Sequence, residues 1–171
     1  MTLSGSEVRF TNPREAIRAG IGLLPGDRKG EGLTLMQSVR DNGMLTPRAL
    51  GSLLGSHKRN TYTDLAGMDA LLDRMEVKAA SYDQDIRLLS GGNQQKLLLA
   101  KTMLPEPEVI IIDEPTRGID IGTKSQIYHF IDRLAREGRS VIVISSDMPE
   151  ILGLSDRVLV MRQGEKAGEL T

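Results

Sequence analysis

Two runs constrain this chain more than any other feature. The first is Leu89-Ser90-Gly91-Gly92-Asn93-Gln94-Gln95-Lys96, and the second, a short way on, is Val109-Ile110-Ile111-Ile112-Asp113-Glu114-Pro115. The first is a Ser-Gly-Gly turn opening a helix, which runs to about Leu104 and stops at Pro105 and Pro107. The second is an aliphatic run without polar alternation, the pattern of a strand buried on both faces of a parallel sheet. A helix over about Gly122 to Glu137 follows, with Ile127, Phe130, Ile131 and Leu134 on one face and Gly138 as its stop. Ser140 to Ser145 is a second, β-branched strand. Strand, helix and strand joined by short loops make a parallel crossover, so an α/β fold is expected.

The flanking segments are consistent with that core. Glu7-Val8-Arg9-Phe10 reads as a short edge strand. Asn12-Pro13 starts a helix, with Pro in its first turn, that ends at Gly20. Ile21 to Leu24 is a short buried strand, and the glycine-rich, basic stretch Gly26 to Gly32 reads as a loop. Between about Met36 and Val77 no strand pattern appears. Leu65, Met68, Leu72 and Met75 recur at helical spacing there, Thr61 and Thr63 offer caps, and Gly51 to Asn60 reads as a polar surface loop. This predicts a helical subdomain. Arg157 to Met161 and Lys166 to Leu170, separated by Gln163-Gly164, read as a hairpin.

Composition excludes several classes of function. The chain of 171 residues is long enough for one core with a subdomain. Its 22 Lys and Arg against 23 Asp and Glu give a net charge of -1, which offers no electrostatic case for nucleic acid. Without cysteine, disulfides and Cys-based zinc sites are ruled out. The longest apolar runs are far too short to span a bilayer, so a membrane role would come through a partner.

Asp113 and Glu114 fall at the carboxyl end of a buried strand, where open α/β sheets place ligands. An Asp there can hold Mg²⁺, which takes a few carboxylates plus substrate phosphates. A neighbouring Glu can orient and deprotonate an attacking water. Ser90-Gly91-Gly92 offers free backbone N–H groups at a helix start, which favour an anion. The acids alone read equally well as a buried strand ending in solvated carboxylates, and the Ser-Gly-Gly turn alone reads first as an ordinary N-cap with a flexible turn.

The ordered combination is more specific. Leu89 to Lys96, then Val109 to Glu114, then Gly118-Ile119-Asp120 resembles the signature motif, Walker B and D-loop of ABC-type ATPases. The Asn-Gln-Gln-Lys ending is similar to the ATP-binding subunits of ribose, galactose, arabinose and xylose importers. So are Pro25-Gly26-Asp27-Arg28-Lys29 with Glu31-Gly32-Leu33, and Ile144-Ser145-Ser146-Asp147-Met148-Pro149-Glu150. The resemblance covers roughly residues 7 to 170 and implies a P-loop NTPase-like ABC nucleotide-binding domain. Residues 36–104 would be the helical subdomain with the signature helix, and 7–34 with 105–171 the α/β core. Those importers carry two such domains in one polypeptide. Ser146 occupies the place of a switch His in most ABC domains, and the second domain of the sugar importers is similar in lacking that His. His57 and His129 are read as ordinary surface or packing residues.

A phosphate-binding loop, Gly-x-x-x-x-Gly-Lys-Ser/Thr, is not found. Gly118-Ile119-Asp120-Ile121-Gly122-Thr123-Lys124-Ser125 has one residue too few between its glycines, and Thr123 separates the second Gly from Lys. The matching part of the family begins ahead of Met1. The chain is therefore expected to be the later part of such a domain, its N-terminal part missing. Gly26 departs from the Glu that the family often has here, and a glycine offers no side chain to a metal or water. The resemblance assigns Ser90, Gly91, Gly92 and Gln94 to the γ-phosphate of an ATP held by a partner domain, and adds Asp120 to the nucleotide-facing set. It implies Asp113 as the Mg²⁺ ligand and Glu114 as the catalytic residue for the other ATP. It also implies an ABC permease as membrane partner, facing residues 36–77 and 26–33, and a cytoplasmic site on the inner face of the membrane. The isolated chain is expected to hydrolyse little MgATP. A gap in the central sheet would expose edges and favour self-association. A non-transport ABC ATPase, such as a chromosome or translation factor, and a non-catalytic ABC-like interaction module are the competing readings.

Overall fold

The computed structural model describes residues 2–54 and 65–171, and the side chains of all of these except 47–54, 65 and 66. His57, Thr61, Thr63 and the stretch 55–60 lie outside the described residues.

The chain opens with a tight hairpin, β1 (Thr2–Leu3) against β2 (Ser6–Glu7). Ser4 and Gly5 close it with positive φ, 48° and 82°, the geometry of a two-residue hairpin turn. The edge strand expected at Glu7 to Phe10 is therefore displaced towards the N-terminus, because the Gly5 turn sets the pairing. Helix α1 (Pro13–Arg18) begins where the sequence predicts. Asn12 caps it, accepting the Glu15 N–H at 3.2 Å, while the Glu15 carboxylate reaches back to the Thr11 N–H at 2.8 Å, a reciprocal capping arrangement.

β3 (Ile21–Leu24), β4 (Val109–Asp113) and β5 (Ser140–Ile144) form one parallel sheet in that order, with Ile21 opposite Val109 and Val109 opposite Ser140. Among the described residues, a π-type turn (Arg28–Gly32), the helices α2 (Val39–Leu54) and α3 (Leu65–Arg74), a short 3₁₀ turn (Ile86–Leu88) and the helix α4 (Gly91–Met103) come between β3 and β4. α2 continues through Gly51 and Ser52, where the sequence predicts a loop. One helical glycine costs only about 1 kcal/mol, too little to end a helix by itself. Asn42, fully buried on α2, bonds Thr34 through both its amide nitrogen and its oxygen, at 2.9 and 2.7 Å, so its burial is compensated.

α4 is enclosed by α2, α3 and β3. Leu97, Leu98, Leu99 and Ala100 are all buried, as expected of a helix surrounded on nearly every side. α5 (Ile121–Arg136) covers the sheet with Ile127, Phe130, Ile131 and Leu134, the face its periodicity predicts. A helix without a counterpart in the sequence reading, α6 (Met148–Leu154), follows β5 with Pro149 in its first turn. β6 (Val158–Arg162) and β7 (Glu165–Leu170) form a hairpin around Gln163 and Gly164, both at positive φ.

One expectation is corrected. β4 is not buried on both faces. Ile110 and Ile112 are fully buried beneath the helices, but the other face of the sheet presents Leu23, Ile142 and Ile144, at 59%, 52% and 51% exposure. The aliphatic run reflects a two-sided strand, whereas the described helices cover its Ile110 and Ile112 face. The sheet is continuous across β3, β4 and β5, and among the described residues no strand pairs with the outer edge of β5. Among the described residues, no helix is long and apolar enough to cross a membrane.

Candidate functional site

Two groups of residues gather along the β4 to α5 connection. The first is built on the start of α4. Ser90 is the N-cap, its hydroxyl oxygen accepting the Asn93 side-chain amide at 3.0 Å. Gly91 and Gly92 then let the helix start approach the first turn of α5 and the chain just ahead of it. A Cβ on Gly92 would stand 2.6 Å from Thr123 Oγ1, and one on Gly91 would stand 3.4 Å from the Gly118 carbonyl oxygen. Asp120 caps α5, accepting the Thr123 N–H at 2.9 Å and the Thr123 hydroxyl at 2.8 Å. The Thr123 N–H and hydroxyl hold the Asp120 carboxyl below the usual range. Ser90, Gly91, Gly92 and Asp120 thus lie on neighbouring turns.

Gln94 has different surroundings from those expected. It is buried, and its amide nitrogen donates to the carbonyls of Ile86 and Leu89 at 3.2 and 3.3 Å. It supports the turn from beneath, and Asn93 is the polar side chain beside Ser90. One helical position, about 100° of rotation, separates the two.

Arg28 joins this group although its sequence context assigns it no role there. Its guanidinium donates to the Arg117 carbonyl at 3.0 Å, and a Cβ on Gly91 would come within 2.9 Å of its NH2 nitrogen. The π-type turn carries it there. Asp27 caps that turn through the Lys29 and Gly30 N–H groups, at 3.1 and 2.9 Å, and these bonds lower its pKa. Lys101 on α4 anchors the other end, donating to the Gly32 carbonyl at 2.8 Å.

The second group is at the end of β4. The Asp113 side chain is half-buried and carries no hydrogen bond or ion pair among the described residues. It faces Gly26, where a Cβ would come within 2.8 Å of Asp113 Oδ2. Glu114 follows with φ of 46°, outside the comfortable range for a side chain with a Cβ. Its N–H donates to the Ile144 carbonyl at 2.8 Å, and its Oε1 accepts the Ser146 N–H at 2.9 Å. The strained backbone is thus tied twice to the segment after β5. That segment is tied back again. Thr116 donates its hydroxyl to buried Glu150 at 2.7 Å, and Lys124 pairs with Asp147 at 2.8 Å. The Lys124 ammonium keeps the Asp147 carboxyl below its usual range, and Asp147 raises Lys124 in turn.

An uncommitted carboxylate at a strand end fits a divalent cation. Among the described residues, no group of three or more acids or histidines surrounds it. Asp113 and Glu114 are therefore a partial donor set, of the kind that suits Mg²⁺ completed by phosphates and water rather than a protein cage.

The family model of the ABC transporter matches residues 1–117, and the chain belongs to that family. Its fold is that of an ABC ATPase cassette. A dimeric ATP-binding cassette, MJ0796, in a post-hydrolysis state bound to ADP and Pi superposes with a TM-score of 0.77 at 18% identity, covering 98% of this chain and 71% of that one. Among curated relatives, the ribose import ATP-binding protein RbsA 2 of Streptomyces coelicolor is 47% identical over 174 residues, covering 99% of this chain and 32% of the relative. The ribose import ATP-binding protein RbsA of Chelativorans sp. is 46% identical over 168 residues, covering 98% and 33%. The chain spans about a third of the length of the curated relatives it matches.

Proposed function

We propose that this chain supplies the signature helix and the Walker B acids of a nucleotide-binding domain that drives carbohydrate import. The observation that carries the reading is the joint placement of the Ser90-Gly91-Gly92 helix start, the Asp120 turn and the Asp113-Glu114 strand end along one connection. The names of the relatives point to ribose import as the process. Bound MgATP would supply the phosphates and the cation that the chain's own donors leave incomplete.

The residues take separate roles. The N–H groups after Ser90 would donate to the γ-phosphate of an ATP held by the partner nucleotide-binding domain. Asp113 would ligate Mg²⁺. Glu114 would take a proton from the attacking water with the oxygen not committed to Ser146. Ser146 orients Glu114 through its main-chain N–H, so no particular side chain is needed at this position. Gln94 and Asp120 act beneath and beside the signature turn. The groove bordered by Ile17, Leu23, Glu31, Thr46, Leu98 and Lys101 lies between the sheet and the helical region of residues 36–104. It would seat a segment of the permease, placing the domain on the cytoplasmic face of the membrane.

Calorimetry with MgATP tests this reading. The isolated chain is expected to show little turnover, because it has no phosphate-loop motif. Steady hydrolysis abolished by Glu114→Gln, or tight binding lost in Asp113→Asn, would mean that a complete site exists in this chain. The exposed Leu23, Ile142 and Ile144 and the β5 edge, which no strand pairs with among the described residues, also predict self-association. Sedimentation velocity should show mass rising with concentration, and a concentration-independent monomer would overturn that expectation.

A further inference from the structure

A second cavity, of about 220 Å³, opens between α3, the second turn of α4 and α5; of its lining only Lys96 belongs to the signature run, and none of it contacts nucleotide in the proposed function. Its floor is apolar, from Met75, Ile127 and Phe130, all buried. Its walls carry three cations, Arg74, Lys96 and Arg133. Arg74 is committed to Glu137 at 2.8 Å. Arg133 lies over the Phe130 ring, 5.4 Å from its centroid, and makes no ion pair among the described residues. Lys96 is the unusual member. It is only 4% exposed, and its one hydrogen bond among the described residues is to the Glu76 carbonyl, at 3.0 Å. An ammonium has three donors, so two remain without a partner among those residues, in a place where burial penalises charge. Burial pulls the Lys96 pKa below its usual range, against the opposing pull of Glu76. The Glu76 carboxylate is itself engaged by the Gln126 amide at 3.3 Å.

We propose that this cavity binds a small phosphate-type oxyanion, held by the Lys96 ammonium and the Arg133 guanidinium over the apolar floor. The chemistry fits on three counts. A buried, under-bonded ammonium gains most from a charge-assisted acceptor. A guanidinium fork matches a phosphate in two contacts. The volume is below the usual range for larger ligands, about 300–1,000 Å³, which restricts the occupant to orthophosphate or a small phosphate monoester. The Met75, Ile127 and Phe130 floor favours a monoester with an apolar group.

The test is an NMR titration of the ¹⁵N-labelled chain with orthophosphate and, separately, with phenyl phosphate, using chloride at matched ionic strength as reference. Saturable shifts of the Glu76, Lys96 and Gln126 amides are expected with at least one probe, and the tighter one identifies the source. Lys96→Met should weaken that binding at least tenfold and Arg133→Ala several-fold. If Lys96→Met does not fold, Arg133→Ala decides alone. Shifts that grow linearly as chloride's do, saturable shifts confined to Gly91 and Gly92, or equal affinity in a folded variant would each overturn the proposal.

Discussion

Gly92→Val is expected to lower the melting temperature of this chain by about 4–12 °C. The first added carbon would stand 2.6 Å from Thr123 Oγ1 and 2.7 Å from Thr123 Cγ2. Thr123 cannot turn aside cheaply, since its N–H and hydroxyl are both bonded to Asp120. The helix starts of α4 and α5 must then part, or the Asp120 cap must break. Overpacking of this kind costs about 2–3 kcal/mol, and each kcal/mol moves the midpoint of a chain of this size by about 2–4 °C. The loss of a helical glycine acts in the opposite direction by only a few tenths of a kcal/mol. Combining Gly92→Ala with Thr123→Ala should recover part of the loss, because the hydroxyl and methyl group both leave. An unchanged midpoint in Gly92→Val would mean that the two helix starts do not touch, and the proposed phosphate-facing surface would lose its geometry.

Leu98→Ala should be as damaging, for the opposite reason. Leu98 is 2% exposed in the middle of α4 and fills the space over Gly32, where a Cβ would meet its Cδ2 at 2.7 Å. Truncation leaves a cavity that the Gly32 backbone cannot fill, at a cost of about 2–5 kcal/mol. That corresponds to about 4–20 °C in the midpoint. Leu98→Met keeps most of the volume and should cost less than about 1.5 kcal/mol. The π-type turn should loosen along with the core, so the Gly32 N–H, bonded to the Asp27 carbonyl at 3.2 Å, should exchange faster in Leu98→Ala. Wild-type melting and exchange together would show that the turn is not held by this contact. Leu98 also borders the groove proposed to seat a permease segment, so the same variant connects core packing to that surface.

Elements with strong local signals are legible from the residues themselves. Asn12-Pro13 and Gly20 bound α1, and Pro105 with Pro107 end α4. Ile127, Phe130, Ile131 and Leu134 mark the buried face of α5, and Gln163-Gly164 turns the last hairpin. Each signal acts over a few residues through dihedral preference, capping or helical periodicity. α6 has a weaker signal, the Pro149 in its first turn, and seven residues are too few for periodicity to add to it. Gly51 and Ser52 mislead because their helix penalties are small beside the stabilisation that tertiary packing supplies.

Local sequence thus marks most of the helices and strands, though not α6 or the end of α2, and shows that Ser90 opens α4 and that two acids end β4. What those residues face is set by tertiary packing. Arg28 reaches the Arg117 carbonyl across 89 residues, Ser146 holds Glu114 across 32, and Thr116 meets Glu150 across 34. Packing also turns Gln94 inward and, among the described residues, closes a cavity around Lys96. The physical reason is range. Dihedral preferences and periodicity are written in neighbouring residues, whereas a hydrogen bond between distant segments exists only after the core has chosen which helices and strands pack together.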